Sequence, residues 1–184
     1  MPEGKLRELL VVDGYNVIHA TDRYERLVDA HTNLARLDTD PYVRAREALL
    51  SDVAAFAHGV YEPIIVYDAA GNPAPEHPEL KSGGVRMLFS AAGQSADELI
   101  ERLVRQALEE GRAVTLVTSD GTIRSTVGLG PGDVRCISSA LLVREMEGDA
   151  AELERDHNTA VHTHLTLGDR LPPEQRERLR QLFE

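Results

Sequence analysis

Short apolar runs of strand length alternate along this chain with segments in which apolar residues recur every three or four positions. Leu9-Leu10-Val11-Val12 is such a run, and it stops at Asp13-Gly14. Asp40-Pro41 then opens a helix, with Asp as N-cap and Pro at the first helical position, and Tyr42, Ala45, Leu49, Val53 and Phe56 form its inner face. Gly59 closes it. Ile64 to Tyr67 is a second strand ending on Asp68, and a Pro- and Gly-rich loop from Ala69 to Gly84 leads to a strand over Val85 to Phe89. Ser95 to Glu110 is the clearest helix, with Leu99/Ile100, Leu103/Val104 and Ala107/Leu108 on one stripe and Gly111 as its stop. Val114 to Val117 and Val134 to Ile137 read as further strands, and Ser139 to Glu147 as a helix before Gly148.

Strands alternating with helices specify a parallel sheet covered on both faces. The expected fold is a three-layer α/β/α domain over residues 8–148 with a mainly parallel central sheet. Residues 149–184 are more polar, with one alternating stretch from Val161 to Leu167 and a terminal amphipathic helix from Pro173 that carries Leu179, Leu182 and Phe183. They read as a C-terminal extension rather than a second domain.

Length and charge narrow the chemistry. The 184 residues suffice for one domain whose core needs no disulfide, and Cys136, the single cysteine, excludes a Cys-based zinc site. No run approaches the ~20 apolar residues of a membrane span, and the N-terminal MPEGKLRELLVVDG lacks a leader-like apolar segment. A cytoplasmic protein with no membrane partner is expected. Twenty basic residues against 31 acidic ones give a net charge of −11, which excludes a protein that coats nucleic acid through many Lys and Arg contacts. A nuclease is not excluded, because a metal-dependent site needs carboxylates and its ions reverse the local sign of charge.

In open α/β sheets ligands bind beyond the carboxyl ends of the strands. Asp13, Asp68 and Asp120 each follow a strand, and Asp97 and Glu98 open the long helix. Each has a purely structural reading as well. Ser95-Ala96-Asp97-Glu98 is a capping box, Asp120 suits the N-cap of a short helix through Arg124, and Asp68 suits a turn before Gly71-Asn72. Gathered in one cleft, these acids would repel one another unless a cation or protons compensated. Oxygen ligands without His or Cys suit Mg²⁺ or Mn²⁺.

LLVVDGYNVI, IIVYDA, QSADELIERLV and LVTSDGTIR stand in the order and spacing of the NYN-domain ribonucleases. The chain resembles the YacP-like branch of that group, within the PIN-like nuclease superfamily. The resemblance implies a metal-dependent endoribonuclease that cleaves RNA with Mg²⁺ or Mn²⁺. Asp13, Asp97 and Asp120 then match the metal-binding acids, Asp68 and Glu98 are further ligand candidates, and Asn16 matches the motif asparagine, expected to hold Asp13 in place. Gly14 would serve close backbone approach or a positive φ. The metal would polarise the scissile phosphate, lower the pKa of a bound water and stabilise the leaving oxygen. Lys81, Arg86 and Arg124 are candidates to meet phosphate, and Tyr15 either stacks on a base or packs beneath the site. The acidic charge leaves little general grip on RNA, so a ribosome or another RNA-presenting partner is expected.

Two rival readings stand beside this one. The same fold would serve as an RNA- or ribosome-binding module with weak catalysis. A phosphohydrolase with Asp13 as nucleophile would need a second acid two residues on, where Tyr15 stands. Gly128-Leu129-Gly130-Pro131-Gly132 lacks both the following helix and the Lys-Ser/Thr of phosphate-cradling loops and reads as a turn. His162-Thr163-His164 reads as the solvated face of a strand, and Cys136 as a core thiol.

Overall fold

The computed structural model describes residues 6–32, 40–69, 79–127 and 134–148. Strands β1 (Glu8–Asp13), β2 (Tyr61–Tyr67), β3 (Glu79–Ser82), β4 (Val85–Phe89), β5 (Val114–Val117) and β6 (Val134–Ile137) form one sheet in the order β3-β4-β2-β1-β5-β6. All neighbouring strands are parallel except the β3–β4 hairpin. The helices are α1 (Gly14–His19), α2 (Asp22–Thr32), α3 (Val43–Ala57), α4 (Ala96–Glu109), α5 (Gly121–Val127) and α6, over 139–148.

The pleat of β1 divides the core into two layers, because successive side chains leave a strand on opposite faces. Leu10 and Val12 join Val17, Ile18, Tyr24, Leu49, Val53, Tyr67 and Leu142 on the face covered by α1, α2, α3 and α6. Leu9 and Val11 join Ile100, Val104 and Ile123 on the face covered by α4 and α5. Residues on both sides of β1 are fully buried, which is why it reads as an unbroken apolar run rather than an alternating one. The three-layer α/β/α arrangement with a mainly parallel sheet is therefore the observed fold.

Several local expectations are corrected. The helix expected from Asp40-Pro41 starts at Val43. Asp40 instead closes a turn, its carboxylate accepting from the Tyr42 N–H at 2.9 Å and its carbonyl from the Val43 N–H at 3.3 Å. The loop read across Ala69 to Gly84 contains β3, which pairs antiparallel to β4 through a turn with Gly83 and Gly84 at positive φ. Helices α1 and α2 were not expected at all. The Gly128 to Gly132 turn, the expected extension over 149–184 and the His162-Thr163-His164 segment lie outside the described residues. The chain divides between Met146 and Glu147 into two units, and the first contains all the elements named up to β6. Among the described residues no helix is long and apolar enough to cross a membrane.

Candidate active site

The register of the sheet brings the acidic segments to one rim. Asp13 ends β1 opposite Val66 of β2 and one step past the Val12–Val117 pair with β5. Asp68 therefore lies on one side of Asp13, and Thr118 to Asp120 on the other. Helix α1 leaves β1 toward one face of the sheet and α5 leaves β5 toward the other. The chain's winding reverses between these two strands, the place where open α/β sheets form a crevice.

Asp13 is only 9% exposed. Its Oδ1 accepts from the backbone N–H of Asn16 at 3.2 Å, which caps α1, and its Oδ2 accepts from the Thr118 hydroxyl at 3.2 Å. Burial first of all pushes its carboxyl above the ordinary carboxylate range; these two hydrogen bonds oppose the shift, and the charges of Asp97 and Asp120 add to it. Thr118 is fully buried, and its Oγ1 also accepts from the Asp120 N–H at 3.1 Å. One hydroxyl thus couples the ends of β1 and β5.

Asp120 caps α5 through Oδ1, which accepts from the Thr122 N–H at 2.6 Å. The capping role and the position at the rim are compatible, since one carboxylate offers about four lone-pair sites. Asp97 lies in the first turn of α4, exposed, and its carboxyl is pushed upward by burial and then by Asp120, Asp68 and Glu101. Glu98 is exposed in the same turn. It sits a third of a turn from Asp97, and its N–H is capped by Ser95 Oγ at 3.2 Å. Glu101, one turn on from Asp97, adds to the shift after Asp120 and Asp68, and the i,i+4 spacing was the signal for it.

Asp68 does more than mark a turn. Its Oδ1 accepts from the N–H of Ala96 at 3.1 Å and from the Ser90 hydroxyl at 3.4 Å, and Ser90 Oγ in turn accepts from the Ala69 N–H at 3.0 Å. Asp68 and Ser95 between them satisfy two orphan N–H groups at the start of α4 and so fix the turn that carries Asp97.

Asn16 meets Asp13 directly. Its backbone, not its side chain, holds Asp13. Its Oδ1 accepts from the Ser119 N–H at 2.8 Å and from the Ser139 hydroxyl at 2.6 Å, tying α1 to the loop after β5 and to the start of α6. Ser139 is fully buried and comes from a segment 123 residues away, so no local signal pointed to it.

Of the two roles open to Gly14, the structure shows close approach. A Cβ here would stand 2.7 Å from Cδ1 of the Tyr67 ring, and Gly14 is not among the glycines at positive φ. Of the two open to Tyr15, the structure shows packing. Its ring meets Tyr42 and Tyr67 edge-on, both at 5.1 Å between centroids, and its hydroxyl accepts from Arg46 at 3.0 Å. Arg46 is itself buried and paired with Asp40. Lys81 and Arg86 face one another across the β3–β4 hairpin, and both pair with Glu79. Arg86 is level with Ile64, four residues short of Asp68 or about 13 Å along the strand, so this pair stands away from the rim. Arg124 is exposed on α5, one turn past Asp120.

Among the described residues no three His, Cys, Asp or Glu side chains form a group that would hold a metal unaided. The carboxylates at this rim are hard oxygen donors, the type of which Mg²⁺ takes one or two while keeping several waters.

Comparison with known proteins places the chain in context. The YacP-like NYN domain matches residues 10–184. The uncharacterized protein YacP of Bacillus subtilis (strain 168) is 28% identical over 149 residues, covering 80% of each chain. The crystal structure of Rae1 (YacP) from Bacillus subtilis superposes with a TM-score of 0.65 at 23% identity, covering 96% of this chain and 90% of that one. A mutant of the same protein gives a TM-score of 0.63 at 22% identity, covering 95% and 99%. At that identity the two structures speak for the fold.

Proposed function

The chain belongs to the YacP-like NYN domain family, and on that premise we propose that it is a metal-dependent endoribonuclease. The observation that supports this reading is the sheet register, which sets Asp13 and Asp120 beyond the adjacent ends of β1 and β5, with the charges of Asp97 and Asp120 both pushing the Asp13 carboxyl upward. Asp13, Asp97 and Asp120 would hold Mg²⁺ or Mn²⁺. The bound ion supplies Lewis-acid activation of the phosphodiester and of a water. The chain's own residues do the rest. Thr118 and the Asn16 N–H aim the Asp13 carboxylate, Asp68 and Ser95 set the turn bearing Asp97, and Thr118 holds the backbone of Asp120. Of the three basic candidates, Arg124, exposed on α5 one turn past Asp120, would meet the RNA backbone.

The test is cleavage of a single-stranded RNA by the purified protein with Mn²⁺, and its loss in Asp13→Asn. Cleavage that survives the substitution would sink the assignment of the site. RNA that is bound and left intact would favour the binding module, a reading that the net charge of −11 supports by implying a partner, such as a ribosome, that presents the RNA.

A further inference from the structure

We infer that the Asn16 side-chain amide is a phosphate-binding donor, which places a neutral hydrogen-bond donor against an RNA phosphate at the crevice. The inference rests on the ribonuclease reading above and assigns a contact that the acids cannot make.

The orientation of the amide follows from its partners. The Ser119 backbone N–H is a donor and nothing else, so the atom 2.8 Å from it is the amide oxygen. The Ser139 hydroxyl reaches the same oxygen at 2.6 Å. With Oδ1 turned into this pair, Nδ2 faces the other way and carries two N–H donors. No acceptor for them is present among the described residues. They are not sealed in either, because the one buried side-chain nitrogen or oxygen without a partner among those residues is the Tyr67 hydroxyl. Asn16 is half-buried, so its oxygen is used for structure and its nitrogen opens to solvent.

Place and charge indicate what the nitrogen meets. The Asn16 N–H bonds the Asp13 carboxylate, and its Oδ1 holds the residue before Asp120, so the amide stands between the supports of two rim acids. An RNA phosphate approaching this rim meets the negative charge of Asp13 and of Asp97 and Asp120, whose charges already act on Asp13. A fixed donor with no charge of its own, whose acceptor side is already occupied, offsets this without an ion-pairing partner for the acids to capture.

The test uses binding of single-stranded oligonucleotides to the full chain in the Asp97→Asn background with EDTA. One methylphosphonate linkage, which replaces a non-bridging oxygen by methyl, is stepped along the oligonucleotide. With Asn16 present, one position should bind about ten- to a hundredfold more weakly, the loss expected for a hydrogen bond to a charged acceptor. In Asn16→Asp, which keeps an oxygen for Ser119 and Ser139, and in Asn16→Ser, that position-specific penalty should disappear while the melting temperature of Asn16→Asp stays close to the parent's. A penalty of the same size and position in both variants overturns the inference. Asn16 would then act only through the loop it holds. Cleavage by the unsubstituted protein with Mn²⁺ is measured in parallel. RNA left intact there would bring down the ribonuclease reading and this inference with it, whereas intact cleavage with an unchanged penalty brings down the inference alone.

Discussion

Gly14→Ala adds one methyl group at the first position of α1, where it has nowhere to go. The new carbon would stand 2.7 Å from Cδ1 and 2.8 Å from Cζ of Tyr67, and closer still to Cε1, against about 3.5–4.0 Å for an unstrained carbon contact. Helix or ring must therefore retreat by about 1 Å. The ring is poorly placed to do so. Tyr67 is fully buried, stacked on Phe89 at 5.5 Å, edge-on to Tyr15 at 5.1 Å, and has the Arg46 guanidinium 5.9 Å from its centroid. Overpacking of a filled core costs about 1–3 kcal/mol, and the immobility of this ring puts the cost at the upper end. Alanine's better helix propensity offsets less than about 1 kcal/mol of it. A net loss of about 2 kcal/mol is expected, read as a lower urea midpoint and as a melting temperature lower by about 4–8 °C. The control is a double-mutant cycle with Tyr67→Leu, which removes the obstructing ring and should make Gly14→Ala nearly neutral. A loss below about 0.5 kcal/mol in the parent, or an equal loss in both backgrounds, refutes the close-approach account.

The remaining predictions concern charge. Burial raises the Asp13 carboxyl above its unfolded value, so the folded chain binds its proton more tightly and the Asp13 contribution to stability declines as pH rises from the ordinary carboxylate range through that raised value. Without divalent metal, Asp13→Asn should therefore be stabilised relative to the parent at neutral pH, with the gain shrinking toward pH 4; parallel urea-stability profiles for the two would contradict this. Millimolar Mn²⁺ should raise the parent's melting temperature by offsetting the same repulsion, and should do so less in Asp97→Asn. An unchanged parent melting temperature would argue against an ion at this rim. Arg86→Ala should alter RNA affinity by less than about twofold because Glu79 already pairs with that side chain away from the rim, and a tenfold loss in a filter-binding assay would show that the hairpin is part of the RNA path.

What the sequence disclosed and what it withheld follow one physical division. Asp13, Asp68 and Asp120 were legible because each sits at the end of an apolar strand or within three residues of it, and the carboxyl ends of parallel strands share one edge whatever their order. Helix α4 was legible because its stripe runs for four turns. By contrast α1 is six residues long and begins with glycine, and α2 buries Tyr24 with support from Leu27 and Val28 within a single turn. Strand β3, with the sequence ELKS, is exposed and charged at the sheet edge, where no burial imposes alternation. The groups that aim the acids lie beyond any local pattern. Thr118 reaches Asp13 across 105 residues, Ser119 reaches Asn16 across 103, and Ser139 reaches it across 123. Composition near Asp13 names the acid, but only the pairing of β1 with β5 puts a hydroxyl on its second oxygen. The motif asparagine falls on both sides of this division. Its contact with Asp13 is local, three residues along the chain and made by the backbone N–H, whereas only the sheet register puts the β5 loop within reach of its side-chain oxygen.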